Sequence, residues 1–261
     1  MPKLSANLGM LFTEVEFLER FGRAAEAGFT AVEYPSGYDW PAEELADRLA
    51  QNGLEQVLLN MPAGDRQAGE RGLAALCGRE AEFRESVGTA LDYAQILGCP
   101  RLHAMAGIVT HEARRGEMEE TYIENLKVAA GACAEMSVKL LIEPINPDDM
   151  PGYFLNGSAQ ALAIIDAVGS DNLYLEYDLY HMHIMGDDLA ATIAANLPRI
   201  AHFQIAGVPG RHEPDGGDID TAGLFDLIDK GGYDGWIGCE YHPRAGTEEG
   251  LGWARAYGIG G

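Results

Sequence analysis

The run KLLIEP, Lys139–Pro144, sets a stretch of strand-forming character ahead of a glutamate that a proline follows at once. Three later apolar runs end in the same way. Asp178 closes LYLEYD (173–178), Gln204 stands near the end of AHFQIA (201–206), and Glu240 closes GWIGCE (235–240). Successive members of this set lie 35, 26 and 36 residues apart, about the length that one strand, one helix and two short connections consume. The spacing predicts neighbouring parallel strands that carry four oxygen-bearing side chains to one rim.

Outward from these runs, short apolar segments alternate with longer ones of helical period along the whole chain. The predicted strands are Leu4–Leu8, Ala31–Tyr34, Glu55–Asn60, Arg101–Met105, Lys139–Glu143, Leu173–Asp178, Ile200–Ile205 and Trp236–Glu240. Between them, Phe83, Val87, Ala90, Leu91, Ala94 and Leu97 share one helix face, and Phe17, Leu18, Phe21, Ala24 and Ala25 repeat the pattern earlier. Eight alternations favour a closed (β/α)8 barrel of the α/β class over an open sheet. No GxGxxG follows the first strand and no GxxxxGK[ST] occurs, so dinucleotide-binding and P-loop folds lose their sequence support. At 261 residues, with no linker, repeat or low-complexity segment, a single domain over 1–261 is expected.

Three connections are long: Met61–Arg79, Pro144–Leu155 and Ala206–Asp218. Each follows a strand, which in a barrel puts it on the C-terminal face, where binding loops and lids form.

With 18 Lys+Arg against 41 Asp+Glu, the net charge is −23, which argues against nucleic acid and anionic membrane surfaces as partners. The four cysteines lack CxxC spacing and sit mostly in apolar runs, as reduced buried thiols do, and a cytoplasmic address is expected. Glu14 and Glu16 interrupt the first segment where a secretory leader needs apolar residues, and no run reaches the roughly 18 apolar residues of a membrane span. Copies of the chain itself, in a homo-oligomer, are the expected protein partners.

Glu143, Asp178, Gln204 and Glu240 offer oxygen ligands only, a set for a hard divalent ion, Mg²⁺ ahead of Mn²⁺, rather than Zn²⁺. Such an ion can chelate a carbonyl and its neighbouring hydroxyl and acidify the C–H between them. Glu143 and Glu240 would then flank the substrate and move the proton of a 1,2-shift through an enediolate. His181, three residues past Asp178, is placed to donate to the substrate oxygen, and Arg211 to bind a carboxylate bidentately. Glu33 and Asn60 end the second and third strands at the same rim and are substrate-binding candidates.

Blander readings stand beside these. A single acidic strand end often caps a helix or a loop, and only the set of four in register outweighs that. His103 and His202 read as core residues, His111 and His242 as solvated, and Arg66 and Arg71 as a solvated lid surface that can also close over an anion.

SANLGMLFTEV (5–15), NMPAGDRQAGERGL (60–73), LLIEPINPDDMPGYFL (140–155), YDLYHM (177–182), HFQIAGVPGRHEPDGGDI (202–219) and GWIGCEYHPRAGTEEGLGW (235–253) together resemble, end to end, the hydroxypyruvate isomerases of the xylose-isomerase-like TIM barrels. The resemblance implies interconversion of hydroxypyruvate and 2-hydroxy-3-oxopropanoate, with Glu143 and Glu240 as the proton-transferring pair. It also implies metal contacts from Glu143, Asp178, Gln204 and Glu240, although related sugar epimerases carry histidine at the position of Gln204. A sister family, 2-oxo-tetronate isomerase, shares these motifs with a substrate one carbon longer; the EPIN and YDLYHM segments rank the three-carbon acid first. Ketose 3-epimerases run the same enediolate chemistry, and DNA-repair endonucleases share the barrel but resemble a histidine-rich three-zinc site.

Overall fold

The computed structural model describes residues 1–109 and 111–261. Eight parallel strands, β1 (Lys3–Asn7), β2 (Ala31–Tyr34), β3 (Glu55–Asn60), β4 (Arg101–His103), β5 (Lys139–Ile142), β6 (Leu173–Asp178), β7 (Ile200–Ile205) and β8 (Trp236–Cys239), follow one another around a closed barrel. β8 returns to β1 with Leu4 opposite Ile237 and Ala6 opposite Cys239. Around it run α1 (Phe17–Glu26), α2 (Ala42–Asn52), α3 (Glu80–Leu97), α4 (Arg115–Glu135), α5 (Ser158–Val168), α6 (Leu179–Ile184), α7 (Leu189–Asn196), α8 (Thr221–Lys230) and, near the end, the short α9 (Thr247–Gly250). No helix among the described residues is long and apolar enough to cross a membrane.

The strands read as nearly unbroken apolar runs because both faces of a parallel sheet are covered. In β5, Leu140 and Ile142 join the large core shared with the helices, whereas Leu141 packs with Leu58 and Ala201 in a small separate cluster. The next inward position after Leu141 is Glu143, so alternation carries an apolar plug up to a polar rim.

Four predicted strands are observed with their stated bounds, and four differ at their ends. β4, β5 and β8 stop short, at His103, Ile142 and Cys239. β1 is shifted back by one residue. Glu143 and Glu240 therefore stand one residue beyond their strands, although the Glu240 N–H still donates to the Ile205 carbonyl oxygen of β7 at 3.2 Å. The three long connections all emerge at this end.

Candidate active site at the C-terminal rim

The register of β6 against β7 slips between Leu175 and Glu176, and the slip sets Asp178 directly beside Gln204. Asp178 then ends its strand by capping α6: its Oδ1 accepts from the Tyr180 N–H at 2.8 Å. The bland reading and the functional one both hold for this residue, because Oδ2 remains for the site.

One oxygen or nitrogen each from Glu143, Asp178, His181 and Glu240 lie within 4.8 Å of one another. Arg211, from the loop after β7, lodges among them: Nη2 lies 2.5 Å from Glu240 Oε2 and 3.5 Å from Asp178 Oδ2, and Nη1 donates to Asp149 at 3.1 Å. Its guanidinium also packs over the Tyr180 ring at 4.9 Å.

His181 has a donor group at each ring nitrogen. Asn146 Oδ1 accepts from the Asp149 N–H at 2.9 Å, which turns its amide nitrogen toward His181 Nδ1 at 2.7 Å. Nε2 stands 3.3 Å from Arg211 Nη2, 3.7 Å from Glu143 and 3.5 Å from Asp178, and acceptance at the shorter Asn146 contact favours the tautomer with the proton on Nε2. Burial, and then the nearby Arg211 charge, hold the ring well below its usual pKa, which keeps it neutral. With the proton on Nε2, the neutral ring can donate a hydrogen bond to an oxygen in the site, the part expected of His181.

Burial raises Glu143 well above the carboxylate range, with the charges of Glu176, Glu240 and Asp178 adding to it. Burial likewise pushes Glu240 up to about 8 and Asp178 to about 6, in both cases against the pull of Arg211. Crowded, desolvated carboxyls of this kind are what a cation stabilises and what proton transfer near neutrality needs.

Gln204 also fits a cation. Its Nε2 donates to Glu33 at 2.8 Å, which fixes the amide and leaves Oε1 buried with no partner among the described residues. Glu143 Oε1 is left in the same condition. Two acceptor oxygens without donors, beside Asp178 and Glu240, make an oxygen-only donor set that can hold a hard divalent ion.

Glu33 is placed differently from the expectation. It lies beneath the rim and takes no part in the cavity wall, because its carboxylate accepts from Ser5 (2.8 Å), Asn7 (3.2 Å), Gln204 (2.8 Å) and His202 (2.8 Å). Despite burial, His202 and these donors hold its pKa below the usual value. Gly238 makes the position available: a Cβ there would sit 2.2 Å from Glu33 Oε1. Glu33 therefore orients Gln204 and, through Asn7, whose Nδ2 reaches Glu240 Oε1 at 3.0 Å, also Glu240.

Asn60, His181, Arg211, Glu143 and Glu240 do line a cavity of about 230 Å³, together with Arg66 and Arg71. Beside Glu143 lies a buried pair made of His103, which the sequence reading put in the core, and Glu176, on which it made no reading. His103 Nδ1 stands 3.5 Å from Glu176 Oε2 and 3.6 Å from Glu143 Oε2, all three residues being buried. Burial drops His103 to about 3 and raises Glu176 well above its usual value. Glu176 had a signal: it sits two residues before Asp178 in an apolar strand and so points to the same side.

A family model described as xylose isomerase-like TIM barrel matches residues 21–257. The chain belongs to that family. A 2-oxo-tetronate isomerase of Cupriavidus necator is 52% identical, with 98% of this chain and 99% of the relative covered. A hydroxypyruvate isomerase of Escherichia coli is 46% identical, over 98% and 100%. A solved structure from Brucella melitensis, titled AP endonuclease, family 2, superposes with a TM-score of 0.96 at 48% identity, covering 98% of this xylose isomerase-like barrel and 99% of that chain.

Proposed function

We propose that the protein is an intramolecular aldose–ketose isomerase of short 2-oxo acids, interconverting hydroxypyruvate and 2-hydroxy-3-oxopropanoate. The observation that carries this reading is the pair Glu143 and Glu240, just past the ends of β5 and β8, both lining one cavity, both raised in pKa, and grouped with the neutral imidazole of His181 within 4.8 Å. Full-length relatives that bear isomerase names support it.

Glu143, Asp178, Gln204 and Glu240 would hold a divalent ion, Mg²⁺ ahead of Mn²⁺ for an all-oxygen set. When bound, the ion polarises the substrate carbonyl and acidifies the adjoining C–H. One glutamate takes a proton from the hydroxymethyl carbon; the C–H electron pair becomes the new C=C bond, and the carbonyl oxygen takes the negative charge of an enediolate. His181 Nε2–H donates to the oxygen where that charge gathers. The other glutamate delivers a proton to the former carbonyl carbon, and the proton of the neighbouring hydroxyl passes to the enediolate oxygen, which leaves an aldehyde beside the new hydroxyl.

The four-carbon acid is a second reading, favoured by the relative at 52% identity, and it uses the same chemistry. Histidine-rich hydrolytic zinc chemistry is disfavoured, because the group of Glu143, Asp178 and Glu240 includes one imidazole, His181, while His103 joins Glu143 only in a separate buried group with Glu176, and the chain carries a charge of −23. Assaying Mg²⁺-loaded protein on hydroxypyruvate and on 2-oxo-tetronate, with an EDTA-treated control, ranks the two acids by kcat/KM. Glu143→Gln and Glu240→Gln should each abolish turnover while circular dichroism shows the native fold retained; near-normal rates in both variants would refute the mechanism.

A further inference from the structure

The loop after β3 places two arginines, Arg66 and Arg71, in the lining of the cavity that Glu143 and Glu240 also line. Among the described residues, neither Arg66 nor Arg71 has a carboxylate within 4.0 Å, although Arg79 of the same loop pairs with Glu70 at 2.6 Å and with Glu82 at 2.5 Å. Arg71 is half-buried, and Nη1 donates to the carbonyl oxygens of Glu70 (2.7 Å) and Arg66 (3.4 Å), partners that fix the side chain without neutralising it. Acidic residues outnumber basic ones by 41 to 18, so an unpaired cation facing an acid-floored cavity is unexpected unless an anion comes to it.

The loop is built to hold that position. Asp65 Oδ1 accepts from the N–H groups of Gln67 and Ala68, Glu70 is occupied by Arg79 and by the Asp65 N–H, and Gly72, next to Arg71, bridges to Ala106 of the loop after β4. Arg211, the other cation in the wall, is already engaged by Glu240, Asp178 and Asp149.

Resting on the function proposed above, we infer that Arg71, with Arg66 beside it at the mouth, is the anchor for the substrate carboxylate and the element that selects 2-oxo acids over neutral ketoses. The reacting carbons are then aimed at Glu143 and Glu240 by the opposite end of the molecule, and Arg211 serves the carboxylates of the rim.

Kinetics of Arg71→Gln test this on hydroxypyruvate, on 2-oxo-tetronate and on dihydroxyacetone, the neutral three-carbon counterpart, with calorimetric binding of pyruvate, an unreactive 2-oxo acid, as a second readout. Loss of a charge-assisted bidentate contact should raise KM for the acids about 100-fold with kcat changed much less, and should weaken pyruvate by a similar factor. Turnover of dihydroxyacetone should be unchanged, and Arg71→Lys should recover part of the affinity. Unchanged KM for the acids and unchanged pyruvate binding would overturn the inference, as would an equal loss on dihydroxyacetone, which marks a merely structural role. Wild-type protein inactive on both acids would refute the proposed reaction instead, and Arg71-dependent pyruvate binding in that protein would still support the anchor.

Discussion

Arg211 donates from Nη2 to Glu240 Oε2 at 2.5 Å, and the same nitrogen stands 3.5 Å from Asp178 Oδ2, so one cation serves carboxylates on two strands. In the absence of metal it is the main positive charge against a buried acidic cluster. Removing one partner of such a pair leaves uncompensated charge, at a cost on the order of 3 kcal/mol. Arg211→Gln should therefore lower the thermal transition of EDTA-treated protein, and added Mg²⁺ should restore more of it than it adds to the wild type. Equal Mg²⁺ shifts in the two proteins would show that Arg211 and the cation do not answer to the same charges.

A pH dependence follows from the same cluster. Glu240 holds its proton to about 8 in the folded chain against 4.5 otherwise, and Asp178 to about 6 against 3.8. Between those values the native state binds more protons than the unfolded one, so stability declines as pH rises. Glu33 and Glu70, whose pKa values are lowered, act only at the acid end, but His103 and His181, held neutral well below the ordinary imidazole value of 6.5, add stability as pH rises to about that value, so the decline is read above it. Melting in EDTA should show a lower transition at pH 8 than at pH 7, and Mg²⁺, which favours the ionised carboxylates, should flatten the difference. A transition that rises over that interval in EDTA would contradict the raised values.

The barrel was legible because apolar alternation is local: Glu55–Asn60 and Leu173–Asp178 can be bounded from their own residues. The rim was legible in part for the same reason, since Glu143, Asp178, Gln204 and Glu240 each end such a run. What decides their roles is not local. Glu33 looks like a rim residue within AVEY, yet it is drawn down by His202 and Gln204, partners 169 and 171 residues away. The engagement of Arg211 by Asp149 and Glu240 likewise joins three separate loops or strand ends, which no periodicity reports.

Glu176 separates a buried acid from a working one. Its Oε2 has no hydrogen-bond partner among the described residues, and its raised pKa makes it a neutral acid close in size and polarity to glutamine. Glu176→Gln should change stability by less than about 1 kcal/mol, since no ionised group is lost and no cavity opens. It should also leave kcat/KM within about tenfold of the wild type, unlike Glu143→Gln, where the proton-transferring carboxyl itself is lost. If both variants are equally inactive, Glu176 belongs to the proton path and not merely to its floor.

Gly72 links backbone geometry to substrate affinity. Its φ is +119°, and a Cβ there would lie 2.3 Å from the Met105 carbonyl oxygen, where neither atom can yield without moving a loop. Gly72→Ala should destabilise the protein by roughly 2–3 kcal/mol from the strained backbone and the displaced contact. Because Gly72 adjoins Arg71 and bridges to Ala106, relief of the clash must shift the guanidinium in the cavity wall. KM for the 2-oxo acids should rise while turnover of dihydroxyacetone holds, repeating in weaker form the pattern of Arg71→Gln. Lower stability with unchanged KM would show that the loop relaxes away from the site and that Arg71 is positioned independently of its neighbour.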